Sequence, residues 1–366
     1  MTRPDLPPPG ARLRLARLAQ GLSQQDLAGA AGVTRQAVAG FESGQWDPSL
    51  RVALVLSRSL GLSVEELFGE LPEAPGLDAV ALGPLGAGPC RVDLGQVGSR
   101  LVALPLSGDR ALRPGFRPSA ATAVPTGDSG CLARPGAPLR PALVVAGCDP
   151  ALPLLRGPLG RADRPLELLW WPCGSAEALR LANAGLVHVA GFHLGAGEPI
   201  SLPGRADLEL VRFASWREGL ATRPGSRRPV RGVADVARGG LRLVNREPGA
   251  EARELLDACL RSEGIASEEI AGYESAVGGH LLVASAVAAG AGDAGITIEP
   301  AALAYGLDFV PLAEERSLLA LPRSLIATPE VQGLLRVLAT PAVQGQLGGL
   351  AGYGDVADCG TRVTGS

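Results

Sequence analysis

The chain of 366 residues contains no lysine, so all 34 of its basic side chains are arginines. With 50 glycines and 31 prolines, that is the mark of a high-GC coding bias and carries no functional information. Cysteine is sparse. Cys90, Cys131, Cys148, Cys173, Cys259 and Cys359 lie far apart and none forms a Cys-x-x-Cys pair, which argues against a structural zinc site. In a reducing compartment such thiols stay free and pack as small core residues. Three histidines, His188, His193 and His280, are too few and too scattered to predict a metal site, although His188 and His193 could approach each other. No cofactor is expected. Long apolar runs are missing too. Leu281–Ala291 is bounded by His280 and Asp293 and broken by Ser285, short of the ~20 residues a bilayer span needs. The first ten residues carry Asp5 and a proline run in place of an apolar signal segment, so a cytoplasmic protein without a membrane partner is expected. Positive charge is not in excess. A net charge of −3 and a pI of about 5.8 exclude a generally basic nucleic-acid coat and leave any nucleic-acid contact to a local surface.

What is present begins with punctuation. Over residues 10–69 short apolar stretches alternate with caps and stops, predicting five helices. The first runs from Ala11 to Ala19, with Leu15 and Leu18 expected inward. Ser23 caps the second, with Asp26 at the reciprocal capping-box position, and Gly32 stops it. Thr34 caps the third, whose inward face is Ala37, Val38 and Phe41, and Gly44 ends it. Pro48 opens the fourth, with Leu50, Ala53, Leu54 and Leu60 inward. Ser63 and Glu66 form a capping box for a short fifth. Only Gly32-Val33-Thr34 separates the second and third helices, which makes the pair a helix-turn-helix. Residues 1–64 hold seven arginines against four carboxylates, a local +3 in a chain that is negative overall.

These residues carry a resemblance. Gly21-Leu22-Ser23-Gln24-Gln25-Asp26-Leu27-Ala28, Gly32-Val33-Thr34-Arg35-Gln36, Phe41-Glu42-Ser43-Gly44 and Gly61-Leu62-Ser63-Val64-Glu65-Glu66-Leu67-Phe68 resemble the Cro/C1-type (XRE) DNA-binding domain. Recognition helices of this kind read base edges with their N-terminal residues, here Thr34, Arg35 and Gln36. Arginine can donate two bonds to guanine, and glutamine can pair with adenine. Gln24 stands where such folds touch a phosphate, and Arg14 and Arg17 are further phosphate candidates. The resemblance implies a homodimer on double-stranded operator DNA with half-sites about one helical turn apart.

Residues 70–89 have linker composition, and 90–138 read as a small β-rich segment with no assignable chemistry. From 139 to 366 strands and helices alternate, which predicts parallel, doubly wound sheets. Here Gly147-Cys148-Asp149-Pro150, Gly191-Phe192-His193-Leu194, Val244-Asn245-Arg246-Glu247-Pro248-Gly249, Gly272-Tyr273-Glu274, Gly306-Leu307-Asp308-Phe309 and Gly352-Tyr353 resemble the periplasmic-binding-protein-like (type II) domain of molybdate/tungstate-type solute binders, in the version fused to regulators. That implies two α/β lobes, about 139–213 with 310–366 and about 214–309, joined by crossing strands near Leu208–Phe213 and Phe309–Leu312. It also implies a small oxyanion in the cleft.

Helix N-termini favour anions, and three strand-to-helix turns would supply them: Cys148–Asp149, Gly174–Ser175 and Gly249 with Ala250 through Arg253. Ser175 is either a hydroxyl donor or a cap. Arg246 and Arg253 are the candidate counter-charges, and His280 is either a cleft residue or a core histidine. Ala250-Glu251-Ala252 stands where the family carries hydroxyls. Glu251 repels a dianion or pairs with a cationic group if it faces the cleft, and simply suits the helix N-terminus if it faces solvent. No Gly-x-Ser-x-Gly, P-loop or His-Glu-x-x-His occurs, so no enzymatic activity is expected. The alternative to ligand sensing is redox sensing by Cys148 and Cys173, at two strand ends near the cleft mouth. The expected whole is multidomain: an all-α helix-turn-helix bundle, a β-rich segment and a two-lobed ligand sensor.

Overall fold

The structure, a computed structural model, describes residues 9–68, 76–113, 115–200, 207–225 and 229–363. Arg3 and Asp5 of the charge count, residue 69 of the expected helical segment and residues 70–75 of the expected linker lie outside these. Two compact units result, Met1–Gly76 and Leu77–Ser366.

The first unit is five helices: α1 (Pro9–Ala19), α2 (Gln24–Ala31), α3 (Arg35–Glu42), α4 (Leu50–Leu60) and α5 (Val64–Phe68). Their boundaries follow the local chemistry. Ser23 and Asp26 complete a reciprocal capping box, Thr34 Oγ1 accepts from Ala37 N, and Ser63 and Glu66 repeat the box at α5. Gly32 stops α2 in the left-handed conformation, φ 65°. Leu13, Leu27, Val38, Leu56, Leu60 and Leu67 form the core. The expected inward residues Leu15, Leu18, Leu50 and Leu54 are instead exposed, at 56, 53, 71 and 41%. Both helices carry leucines on two faces. The i, i+4 stripe of Leu13 and Arg17, and that of Leu56 and Leu60, win the inward side.

The second unit opens with a closed five-stranded barrel. Its strands are β1 (Leu77–Ala81), β2 (Cys90–Val97) and β3 (Arg100–Pro105), then, after the two-residue pair β4 (Leu112–Arg113) and β5 (Gly115–Phe116), β6 (Ala121–Pro125) and β7 (Gly130–Pro135). The barrel order is β1-β3-β2-β6-β7. β1 closes it by pairing with both β3 and β7, so part of the expected linker is a barrel strand. The prolines and glycines of 83–89 disguise it. Closure leaves no free sheet edge. The barrel is fused to the α/β part of the unit: Leu82, Val97, Val102 and Leu104 share one apolar core with Ala142–Ala146.

The α/β part runs β8 (Ala142–Ala146), α6 (Arg156–Gly160), β9 (Glu167–Trp171), α7 (Ser175–Asn183), β10 (Val189–Gly195), β11 (Leu208–Thr222), α8 (Val233–Gly239), β12 (Leu243–Arg246), α9 (Glu251–Ser262), β13 (Ala276–Val277), α10 (His280–Ala288), β14 (Ala294–Ile298), α11 (Glu299–Ala304), β15 (Asp308–Pro322), α12 (Pro329–Leu338) and α13 (Pro341–Gly348). One eight-stranded sheet results, in the order β13-β12-β14-β11-β15-β10-β8-β9. Its flanks pair in parallel, as the doubly wound pattern predicts. Its centre is antiparallel: β11 and β15, each 15 residues long, pair with each other along their whole length. One core covers the β8–β10 flank and two cover the faces of the β12–β14 flank.

Candidate functional site

In the helical unit Thr34, Arg35 and Gln36 form the exposed first turn of α3, and Arg14 is exposed on α1. Arg17 departs from its expected phosphate role. It is buried, holds Glu42 through Nε at 2.5 Å and Nη2 at 3.0 Å, and donates from Nη1 to Leu22 O at 2.7 Å. Gln24 Nε2 donates to the same Glu42 at 2.9 Å. Burial raises the Glu42 carboxyl, but the Arg17 and Gln24 bonds outweigh it and hold it below the usual range. Arg17 therefore ties α1 to α3, and Gln24 joins that clamp.

In the second unit a cavity of about 400 Å³ opens beside the ends of β8, β9 and β12. Arg110, Arg117, Arg156 and Arg246 contribute charge to its wall, and Trp170, Leu281, Leu282, Pro150 and Pro172 contribute an apolar side. Cys148, Cys173, Glu247 and His280 complete it with Gly278 and Gly279. Arg110 and Arg117 come from the barrel segment. Arg117 pairs with Asp93 at 2.9 Å. Arg110 stacks over Trp171, 4.0 Å from the ring centroid, and neither of its terminal nitrogens has a hydrogen-bond partner. Burial lowers its pKa to about 10 despite the nearby Asp93.

Behind the cavity lies a buried polar cluster. Gly147, with φ 149°, lets β8 turn against β10: a Cβ there would sit 2.7 Å from Gly191 O. The turn delivers Cys148 and Asp149. Asp149 takes no free part in the cavity, because it accepts from Ala151 N at 2.8 Å, Tyr353 Oη at 2.7 Å and Ser317 Oγ at 3.0 Å. His193 Nδ1 bonds Glu315, and its Nε2 is 3.8 Å from Glu251. Burial alone would push this imidazole down. Cys148 and Glu315 outweigh burial and hold it well above the usual range. His280 sits 3.8 Å from Glu218 and 3.0 Å from Arg246 Nη1, and burial with Arg246 keeps it well below that range. Glu218 is wholly buried and neither of its oxygens accepts a hydrogen bond. Burial and Glu315 push its carboxyl far up.

Of the expected cleft residues, Cys148, Arg246 and His280 line the cavity, and the others stand beside it. Ser175 is buried, with its oxygen accepting from His193 N at 3.3 Å. Arg253 stacks on Tyr273 at 4.5 Å and donates to Arg246 O. Ala250 is buried at the start of α9. Gly174 faces Gly249: a Cβ on it would lie 3.6 Å from Gly249 O and 3.9 Å from a Glu251 oxygen. Glu251 thus faces the cleft. It brings its own carboxylate to the helix turn where an oxyanion is expected. Arg246 is paired with Glu247 through both glutamate oxygens at 2.8 Å.

His193 meets His280, at 6.4 Å between ring centroids, rather than His188. The latter is buried with Nδ1 accepting from Val144 N at 3.0 Å. Sequence reading missed Arg110, Arg117, Glu218 and Glu315. The last two had a signal, since Trp216-Arg217-Glu218-Gly219 and Glu314-Glu315-Arg316 place charge inside otherwise apolar strands.

The family described as PBP superfamily domain matches residues 157–339, half of the chain, and that described as helix-turn-helix matches 13–67. The protein YvgK of Bacillus subtilis is 28% identical over 193 residues, 48% of this chain and 60% of YvgK. The chain therefore spans less than two thirds of that relative. An HTH-type transcriptional regulator of Methanocaldococcus jannaschii is 37% identical over 57 residues, 16% of this chain and 86% of the regulator. Among solved structures, the restriction-modification controller protein C.AhdI from Aeromonas hydrophila is 45% identical, with 16% of this chain and 91% of that one covered and a TM-score of 0.16. Among the described residues no helix is long and apolar enough to cross a membrane.

Proposed function

This chain belongs to the PBP superfamily-domain family and carries a helix-turn-helix domain ahead of it, and from that premise we propose a one-component transcriptional regulator whose α/β unit senses an organic anion. The observation that carries the reading is the two-sided cavity of about 400 Å³, cationic along Arg110, Arg117 and Arg246 and apolar along Trp170, Leu281 and Leu282. Cavities of about 300–1,000 Å³ take drug-sized molecules, and a bare tetrahedral oxyanion such as molybdate would leave most of this one empty. Glu251 adds repulsion at the helix turn where such a dianion would dock. A carboxylate, sulfonate or phosphate ester with an apolar body satisfies both walls, its charged end on Arg110 and its body against Trp170.

The other assignments rest on the family. Thr34, Arg35 and Gln36 read bases, Arg14 holds phosphate, and a dimer places two such units on paired half-sites. The role is binding rather than catalysis. Redox sensing is the weaker reading, because burial pushes the Cys173 thiol far up and away from the reactive thiolate.

A thermal-shift panel on the full chain tests this, with small organic carboxylates, sulfonates and phosphate esters set against molybdate and tungstate. An organic anion at 100 times its Kd should add about 2.7 kcal/mol, and Arg110→Ala should remove that gain. Stabilisation by bare oxyanions alone, or undiminished binding by Arg110→Ala, overturns the ligand class. If the cavity regulates, operator DNA must change anion affinity by the factor by which the anion changes operator affinity.

A further inference from the structure

We propose that the α/β unit binds one transition-metal ion of the zinc class through Cys148, His193 and His280, at the inner wall of the arginine-lined cavity. The inference does not depend on which anion the cavity takes. The donor atoms of the three residues lie within 4.8 Å of one another, and all three residues are buried. A tetrahedral ion with Zn–S of ~2.3 Å and Zn–N of ~2.1 Å holds its donors about 3.5 Å apart, so side-chain rotation of about an ångström closes the set. One thiolate and two imidazoles select a borderline-soft ion over magnesium or calcium. Cys148 and His280 both face the cavity, which leaves the fourth position open toward it.

The second, independent observation is the pair of carboxylates behind the imidazoles. Glu315 on β15 holds His193 Nδ1, leaving Nε2 for an ion. Glu218 on β11 lies 3.8 Å from His280 Nδ1, near it but beyond hydrogen-bond reach as the ring stands. Carboxylates placed so are what orient metal-ligating histidines. Glu218 is wholly buried and no N–H reaches either of its oxygens, so one is open to the Nδ1 proton of His280 once Nε2 of that ring holds an ion. Arg246 stands beside the site: its guanidinium is bonded to Glu247 and meets the ring nitrogens of His280 at 3.0 Å through Nη1. The ion displaces that last contact, and Glu247 keeps Arg246 in place.

The test uses the full chain, reduced and stripped of metal, titrated with Co2+. One ion per chain should bind, with a thiolate-to-cobalt charge-transfer band and the visible absorption of a tetrahedral site, both lost on adding Zn2+. Cys148→Ser should abolish the charge-transfer band, while Cys259→Ser on α9 keeps it. Glu315 is a positioning residue: Glu315→Gln should weaken Co2+ by roughly 10–100-fold while the band at saturation survives. Should Cys148→Ser fail to fold, His280→Gln carries the test, with at least a tenfold loss of affinity expected. No stoichiometric Co2+, a band unchanged in Cys148→Ser, or an affinity unchanged in His280→Gln each overturns the site.

Discussion

Each unit buries an arginine beside glutamate, and the two clusters are completed differently. Around Arg17 every partner is in place: Glu42 accepts from Arg17 and Gln24, and Leu22 O takes another arginine proton. Around Arg246 the pairing with Glu247 is complete, yet the neighbouring Glu218 accepts nothing and His193 and His280 stand in opposite electrostatic surroundings. A satisfied buried network fixes one arrangement, whereas a partly satisfied one costs free energy that something must repay. By that criterion the helical cluster is architecture and the α/β cluster is the candidate for a site.

The largest effect should come from breaking the satisfied cluster. Arg17→Ala leaves the buried Glu42 without its cation, at a cost of about 3 kcal/mol to the helical unit. Hydrogen exchange of the α1–α3 amides in the full chain reads it, and unchanged protection would make Arg17 a surface residue after all. The Glu42 carboxyl sits below its usual range, so the stability it lends is present at neutral pH and fades as pH falls through its folded pKa. Arg17→Ala should weaken that dependence.

The next effect belongs to the other unit. His188 has its pKa lowered to about 4 from 6.5, chiefly by burial. The unfolded chain takes up the proton first, so stability is full above about pH 6.5 and lost toward pH 4, by ~3 kcal/mol. His188→Gln should remove one proton from the uptake on acid unfolding, and an unchanged uptake would contradict the burial assigned to this ring.

Arg35→Ala should come third, with about 1–3 kcal/mol of base discrimination lost and no change in fold, read by binding to operator variants. The smallest effect is that of Arg14→Ala. It should weaken all sequences alike and flatten the salt slope by about 1, and a sequence-dependent loss would move Arg14 from phosphate to base.

The helical unit was legible because its signals are local. Ser23 and Asp26, Thr34 and Ala37, and Ser63 and Glu66 each lie three residues apart, and a capping bond needs no more. The α/β alternation was legible for the same reason, strand by strand. The cavity was not. Arg117 reaches Asp93 only because turn-rich sequence hides a barrel, and Arg110 reaches Trp171 only because that barrel packs on the α/β sheet. Helix phase failed for Leu15 and Leu50, where apolar residues occupy two faces and only tertiary packing chooses between them. Glu251 shows the same limit: the sequence left it between cleft and solvent, and the fold brings its carboxylate within 3.8 Å of His193.

The paired strands β11 and β15 have a mechanical consequence. They run hydrogen-bonded from Leu208 opposite Pro322 to Thr222 opposite Asp308, with interruptions at Arg212/Ala214 and Glu218/Gly219. Two lobes on single strands would swing like a door. Two lobes on a continuous ribbon must twist it, and a ribbon returns a restoring torque. Bending concentrates where the ladder is broken, and Glu218 stands at one of those breaks. The unit is built as a torsion spring with a buried carboxyl at one of the breaks in its ladder.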